Sequence, residues 1–475
     1  MPDQTISKTD FLLFCDCPRH FWAAKHGYPS AQPFTAMDQF RMQQGQEVEA
    51  LALEFIQQHI LPQYSNAELH WQHTDTLDIF LARSDALIHD EKEDCYDLYE
   101  IKSSTSLQKE HVLDVAFQRE VFSASMRLRH ACLVHLNSNY HRKGELDLAQ
   151  LFVCEDITQA MADVQPTVAI LMRVARQALQ QNSYDNLEHC RKPNDCPYPQ
   201  LCHPDLPQHP IYEISRLHKN KATQMEDMGV RAINDIPAGF ALSEKQQAYV
   251  DVVKSGEPSI ERNAIRNWFA QLRYPLHFLD YETCNPALPA FDGYKPNQHI
   301  VFQYSLHVLP APDAELKHYE YLHTQFSDPA PALLQQLSQH IAPYGSVMVW
   351  NKAFEMYRNR EMAEICPSYA QFLEELNSRV VDLMEVFSQN MYIHPDFHGS
   401  ASIKKVLQVL VPDLSYADLA IQKGDEASIT WWEMVGGKII DSERQKTITN
   451  LLQYCALDTR ALVEISSILT NLLTK

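Results

Sequence analysis

A chain of 475 residues, 45% hydrophobic and 21% charged, has the composition of a globular protein and exceeds what one core usually serves, so two main domains are expected. Its formal charge of −21 excludes a broad basic nucleic-acid surface; a phosphate polymer would need local basic patches and metal ions to hold it. Eleven cysteines, an odd number without a secretory leader in Met1 to Phe14, point to a reducing cytoplasmic setting, and no run has the apolar length of a bilayer span, so no membrane partner is expected.

In chain order, the stretch from Ile6 to Phe14 predicts a short helix with Ser7 as its N-cap. It leads into Cys15-Asp16-Cys17-Pro18-Arg19-His20-Phe21-Trp22. A second helix, over about 37–59, turns Val48, Leu51 and Phe55 inward and carries Glu49. The run from Ile79 to Ile88 alternates as a half-buried strand containing Asp85, and a second strand carries Leu98-Tyr99-Glu100-Ile101-Lys102. Glu100 and Lys102, two apart, project to one face. The polar stretch 90–97 reads as a hairpin loop that brings Asp85 beside Glu100. Two carboxylates that close repel unless a cation joins them, and oxygen ligands of this kind suit Mg2+ or Mn2+. Lys102 is then placed to lower the pKa of a metal-bound water or to hold a phosphate. A helix over 111–126 carries Asp114, Gln118 and Phe122 at four-residue spacing, one face of it overlooking that pair.

Cys190, Cys196 and Cys202 follow in a Pro-rich loop with five residues between neighbours, which suits thiolate ligation better than helix packing. Cys17 is the best fourth ligand, with Cys15 its competitor. Such thiolates favour an iron-sulfur cluster, or alternatively Zn2+, although the paired C-x-x-C knuckles of many zinc sites are missing. Cys95, Cys132, Cys154, Cys284, Cys366 and Cys455 read as ordinary buried thiols.

Taken together, Cys17-Pro18-Arg19, Asp85, Glu100-Ile101-Lys102, Gln118 and the three late cysteines resemble the RecB type of PD-(D/E)XK nuclease, in the CRISPR-associated and AddB-like branch, over residues 1–207. The resemblance implies a restriction-endonuclease-like α/β domain. It implies a 4Fe-4S cluster on Cys17, Cys190, Cys196 and Cys202 that clips the two ends of the domain together. It also implies a catalytic set of Asp85, Glu100, Lys102 and Gln118, with Glu49, Asp85 and Glu100 as metal ligands. Glu49 stands where that branch often has His, and Phe122 where a Tyr often follows the Gln.

Residues 208–270 read as a helical connector. Gly229 and Gly239 after apolar turns resemble a helix-hairpin-helix, whose backbone amides can hold a phosphate backbone; a plain helical linker accounts for the same residues. Beyond it, the stretch from Leu276 to Thr283 predicts a strand with Asp280 and Glu282 on one face. The apolar run 346–350 ends at Asn351, a candidate helix cap, with Glu355 one turn in and Asp382 a reserve ligand. Tyr454 and Asp458 share a face of a C-terminal helix, and 399–405 reads as a capped helix start. His394 and His398 read as solvated loop histidines, and Trp431-Trp432 as core. Carboxylates converging from such elements would hold two divalent metals for in-line attack on a phosphodiester.

This half, 271–475, resembles the RNase H-like DEDD exonucleases of the subgroup with tyrosine in the last motif. The resemblance implies that Asp280, Glu282, Glu355 and Asp458 bind the metals and that Tyr454 orients the attacking water; Glu355 stands where the family usually has Asp. The joint expectation is an α/β protein fusing the two nuclease folds, a metal-dependent exonuclease on nucleic acid, DNA in preference to RNA and single strands favoured. The alternatives are a catalytically inactive nucleic-acid-binding or scaffolding protein, or a toxin or effector nuclease.

Overall fold

The structure, a computed structural model, describes residues 4–474. It is mixed α/β and divides into two compact units. The first comprises Met1–Asp205 with Pro286–Gln298, and the second Leu206–Asn285 with His299–Lys475. The stretch read as a connector, 208–270, therefore belongs to the second unit, and thirteen residues from near the start of the second half, 286–298, belong to the first. Composition gives no hint of that excursion.

The first unit is built on a five-stranded sheet in sequence order: β1 (Ala67–Trp71), β2 (Ala86–Asp90), β3 (Cys95–Lys102), β4 (Leu128–Leu136) and β5 (Phe152–Asp156). Only the β3/β4 pair is parallel, and its crossover carries a helix, Lys109–Phe122, as parallel pairing requires. The expected strand from Ile79 to Ile88 is in fact two. Phe80–Arg83 joins a small sheet with Ile6–Ser7 and Thr74–Leu77, and the chain turns at Ser84-Asp85 before β2 begins. The hairpin loop is shorter than expected, the strands running on to Asp90 and back from Cys95. Its register pairs Ala86 with Tyr99, so Asp85 comes level with Glu100.

Helices cover both sheet faces. The α1 helix (Lys8–Asp16) begins with the anticipated Ser7 cap, closed reciprocally by Asp10. It packs with the Lys109–Phe122 helix against Leu87, Leu98, Ala131 and Leu133, Phe11 stacking on Phe117 at 4.8 Å. The opposite face, Ala86, Ile88, Tyr99 and Ile101, is covered by α2 (Ala36–Phe55) through Val48, Ala52 and Phe55.

In the second unit the five strands are β6 (Leu276–Cys284), β7 (Ile300–Leu309), β8 (Lys317–Leu322), β9 (Val347–Val349) and β10 (Val380–Asp382). Their spatial order is β8-β7-β6-β9-β10, with β6 central. The β6/β7 and β7/β8 pairs are antiparallel and the β6/β9 and β9/β10 pairs parallel. Leu279 and Tyr281 face an apolar cluster with the Ala330–His340 and Lys352–Ile365 helices, which leaves Asp280 and Glu282 on the other face by strand alternation. The 34-residue helix Asp441–Thr474 lies there: Gln303 Nε2 donates to the Leu451 carbonyl at 2.8 Å, and Ser305 and Thr459 hydroxyls pair at 2.6 Å. Trp431 is fully buried and stacks on Phe302 at 4.4 Å. Among the described residues no helix is long and apolar enough to cross a membrane.

Candidate functional site

Three side-chain clusters among the described residues contain the residues singled out in the sequence. In the first unit Glu100, fully buried, sits at the centre of a charged knot. Its Oε1 accepts from Lys102 Nζ (2.6 Å) and Lys8 Nζ (2.7 Å), and its Oε2 from Gln118 Nε2 (2.7 Å). Asp114 closes the ring, accepting from Lys102 (2.7 Å) and Gln118 (2.9 Å). Asp85 accepts from the Ile101 backbone N–H at 2.7 Å. Burial, reinforced by the charge on Glu100, pushes the Asp85 carboxyl up to about 7. Burial acts upward on Glu100 too, but Lys102 and Lys8 outweigh it and hold that carboxyl well below the usual range. Gln118 Oε1 is buried without a hydrogen-bond partner among the described residues, an unsatisfied acceptor beside the acids.

Two placements depart from the sequence reading. Lys8, from the first turn of α1, doubles the positive charge on Glu100. Glu49 lies on α2, which packs on the sheet face opposite Glu100, and accepts from Gln72 Nε2 at 3.1 Å. It forms no hydrogen bond or ion pair with Asp85, Glu100 or Asp114 among the described residues. Helix packing on the Val48/Ala52/Phe55 stripe decides this, since Glu49 is one step off that stripe.

The second cluster gathers Cys17, Cys190, Cys196 and Cys202, the first residue lying 173 positions before the second. Cys15 packs instead against the apolar core. All four thiols are free of disulfides. Two histidines, passed over in the sequence reading, join them: His20 Nε2 lies 3.3 Å from Cys196 Sγ, and His203 Nε2 lies 3.4 Å from Cys190 Sγ. Cys17, His20, Cys190 and Cys202 bring their ligand atoms within 4.8 Å of one another and could hold a metal ion. Arg19 ties the same ends together, donating to the carbonyls of Leu187 (3.0 Å) and Leu201 (2.8 Å). The Cys17-Pro18 step itself makes this possible, because Cys17 ends one helix and caps the next, whose first residue is Pro18.

The third cluster lies on β6 of the second unit. Asp280 is half-buried, while Glu282, Glu355 and Asp458 are buried. Burial first, and then their mutual charge, pushes the carboxyls of Asp280, Glu282 and Glu355 well above the ordinary value. Burial lifts Asp458 to about 6, against the Tyr416 hydroxyl, which donates to its Oδ1 at 2.6 Å, and the Lys404 charge. None of the four is ion-paired to a protein cation among the described residues, and Glu355 Oε2 is buried with no hydrogen-bond partner.

Tyr454 lies near these acids, its hydroxyl and Glu282 Oε2 both flanking Gly424. Its hydroxyl lies 3.4 Å from Lys404 Nζ, and Lys404 sits in the helix Ile403–Leu410, which Ser402 caps. Burial raises the Tyr454 phenol far above its usual value, so it stays protonated. Cys455 is buried as read, and its Sγ lies 3.8 Å from Asp280 Oδ2 and groups with Asp280 and Glu282. Asn351 occupies the cap position of its helix but in a left-handed conformation (φ 79°) without a capping side-chain bond. Asp382 takes that role, its carboxylate accepting from the Asn351 and Lys352 backbone N–H groups at 3.0 Å each, which engages the reserve ligand as a helix cap. Cys154, also read as buried, is exposed.

Fold and clusters together define a two-unit α/β protein with one thiol-imidazole site that could hold a metal and two carboxylate centres. Residues 277–402 match a domain of unknown function, DUF2779, a span that starts on β6 and includes Asp280, Glu282 and Glu355. The chain is similar to the uncharacterized protein UU173 of Ureaplasma parvum serovar 3, at 24% identity over 250 residues, 48% of this chain and 36% of that protein. It is similar also to the uncharacterized protein MG366 of Mycoplasma genitalium, at 25% over 231 residues, 45% of this chain and 34% of that protein. The chain thus covers about a third of the length of the curated relatives it matches. A solved structure titled "Crystal structure of SSO0001" aligns at 17% identity with a TM-score of 0.25, covering 44% of this chain and 89% of that one.

Proposed function

We propose that the protein is a metal-dependent nuclease that hydrolyses phosphodiester bonds, acting as an exonuclease on DNA with single strands preferred. The observation that carries this is the set of Asp280, Glu282, Glu355 and Asp458, four carboxylates raised by burial, the first three also by neighbouring acids, with no ion pair to a protein cation among the described residues. Buried like charges are tolerated only when protonated or joined by a cation. The orphaned Glu355 oxygen and the four carboxylates fit Mg2+ or Mn2+, with the Cys455 thiol beside Asp280. Bound there, the two ions would activate a water and offset charge on the scissile phosphate. The chain's own groups do the positioning. Tyr416 fixes the Asp458 rotamer, and the protonated Tyr454 hydroxyl, beside Lys404, is a hydrogen-bond donor for a water or phosphate oxygen rather than a base.

The RNase H-like reading of the second unit and the PD-(D/E)XK reading of the first are supported by the acids' placement on β6 and β3 respectively. In the thiol cluster, Cys17, Cys190, Cys196 and Cys202 would hold the 4Fe-4S cluster, whose role is to join residues near both ends of the first unit. His20 and His203 make Zn2+ the competing occupant.

The first carboxylate centre differs in its charge balance. Lys8 and Lys102 already neutralise Glu100, so a divalent cation must displace an ion pair there. That favours a second reading for this unit alone, binding of a phosphate backbone without cleavage. End-labelled single and double strands with Mg2+ or Mn2+ test both. Cleavage abolished by Asp280→Ala and retained in Glu100→Gln assigns the activity to the second unit. Intact substrates under every condition would overturn the nuclease reading.

A further inference from the structure

Away from both carboxylate centres, three potential ligands converge within the second unit from segments nearly two hundred residues apart. Glu213, in a short turn of residues 211–213, receives His398 Nδ1 at Oε1 (2.8 Å) and His209 Nδ1 at Oε2 (3.1 Å). The three ligand atoms lie within 4.8 Å of one another, and the two imidazoles stack with centroids 5.3 Å apart. Tyr249 donates its hydroxyl to Glu213 Oε2 at 2.9 Å, the kind of outer contact that orients a ligating carboxylate.

The backbone is bent to make this meeting possible. His398 is left-handed at φ 51° and ψ 42°, and Gly399 follows at φ 67°. A Cβ on Gly399 would strike the Glu213 carbonyl oxygen. A non-glycine residue in this region is strained, and such strain persists only where surrounding structure over-determines it. Here it aims an imidazole at a carboxylate. His398 also lines a cavity of about 550 Å3 with His394, Asp396 and Lys405.

We propose that His209, Glu213 and His398 form a Zn2+ site, with a water completing the fourth position. Two imidazole nitrogens and one carboxylate oxygen suit zinc, whereas Mg2+ prefers an all-oxygen set and the thiol cluster offers softer donors. The ion clips the residue 209–213 turn to the segment that leads into the Ile403–Leu410 helix, and so steadies the element that carries Lys404. The site is independent of the nuclease reading.

The test uses the full chain, saturated with Zn2+ and then passed over a weak chelator. The chain should retain about one zinc more per molecule than the His209→Ala/His398→Ala double variant, with iron content equal in the two. X-ray absorption at the zinc edge should show imidazole nitrogen and oxygen neighbours for that ion. Equal retention in both proteins, or a zinc surrounded by sulfur alone, overturns the proposal. Should the double variant fail to fold, Glu213→Gln keeps an acceptor for Tyr249 while removing the charge. It should weaken zinc binding by about tenfold or more, and unchanged affinity overturns the proposal equally.

Discussion

Asp458→Asn separates a metal-binding carboxylate from a merely structural one, because the two roles predict opposite signs. In the metal-free chain burial holds the Asp458 carboxyl at about 6, against an ordinary 3.8. The folded state therefore binds more protons than the unfolded one between those values, and stability falls as pH rises through that window. Above pH 6 the penalty amounts to about 3 kcal/mol. Asparagine has the same shape and keeps an oxygen to accept from Tyr416, so it should recover most of that, about 2 kcal/mol. For a unit of this size that is roughly 5 °C in melting temperature. The expected result by thermal denaturation at pH 7.5 in chelator is a variant more stable than the wild type, with the difference vanishing near pH 4. Adding Mn2+ should reverse the order, stabilising only the wild type, while cleavage by the variant is lost. A chelated variant that melts below the wild type, or an equal response of both to Mn2+, would refute the reasoning.

Lys8→Met removes one of the two cations on Glu100; truncating one partner of a buried pair should destabilise the first unit by about 3 kcal/mol in denaturant titrations, while calorimetry should show tighter Mn2+ binding there. With the proposed 4Fe-4S cluster bound, anaerobic preparations should be brown, and Cys202→Ala should abolish that colour and make the first unit's ends susceptible to limited proteolysis, because Cys17 and Cys202 would no longer hold one cluster. Gly399→Ala meets both a left-handed backbone and the Glu213 carbonyl, so a loss of about 3 kcal/mol or more is expected in thermal melts, and a neutral effect would remove the strain argument. Tyr454→Phe keeps the ring but not the donor; kcat should fall about tenfold or more with KM little changed, measured on an end-labelled single strand.

Much of the first carboxylate centre was legible because it rests on local rules. Glu100 and Lys102 share a face through strand alternation, and Asp114 and Gln118 share one through helical spacing. The hairpin then sets Asp85 against Glu100. Lys8 was not legible, since it lies 92 residues from Glu100 and arrives only because Phe11 stacks on Phe117. The break at Ser84-Asp85 was hidden too, as apolar alternation continues across a point where the chain changes sheets. Cysteine spacing exposed the thiol cluster, but a histidine two places after a proline carries no such periodic signal, and His20 and His203 emerge only from three-dimensional convergence.

Sequence alone determined the residue types at each centre: carboxylates two apart on a strand, a tyrosine and an aspartate one turn apart, thiols near two ends of a unit. Those follow from the fixed periods of helix and strand, which need no partner. Tertiary packing alone decided how charge is balanced. It put two lysines on Glu100 and, among the described residues, no ion pair on Asp280, Glu282, Glu355 or Asp458. It turned Asp382 into a helix cap and drew His209, Glu213 and His398 together. Electrostatic energy depends on distance and desolvation, and neither is set until separated segments meet.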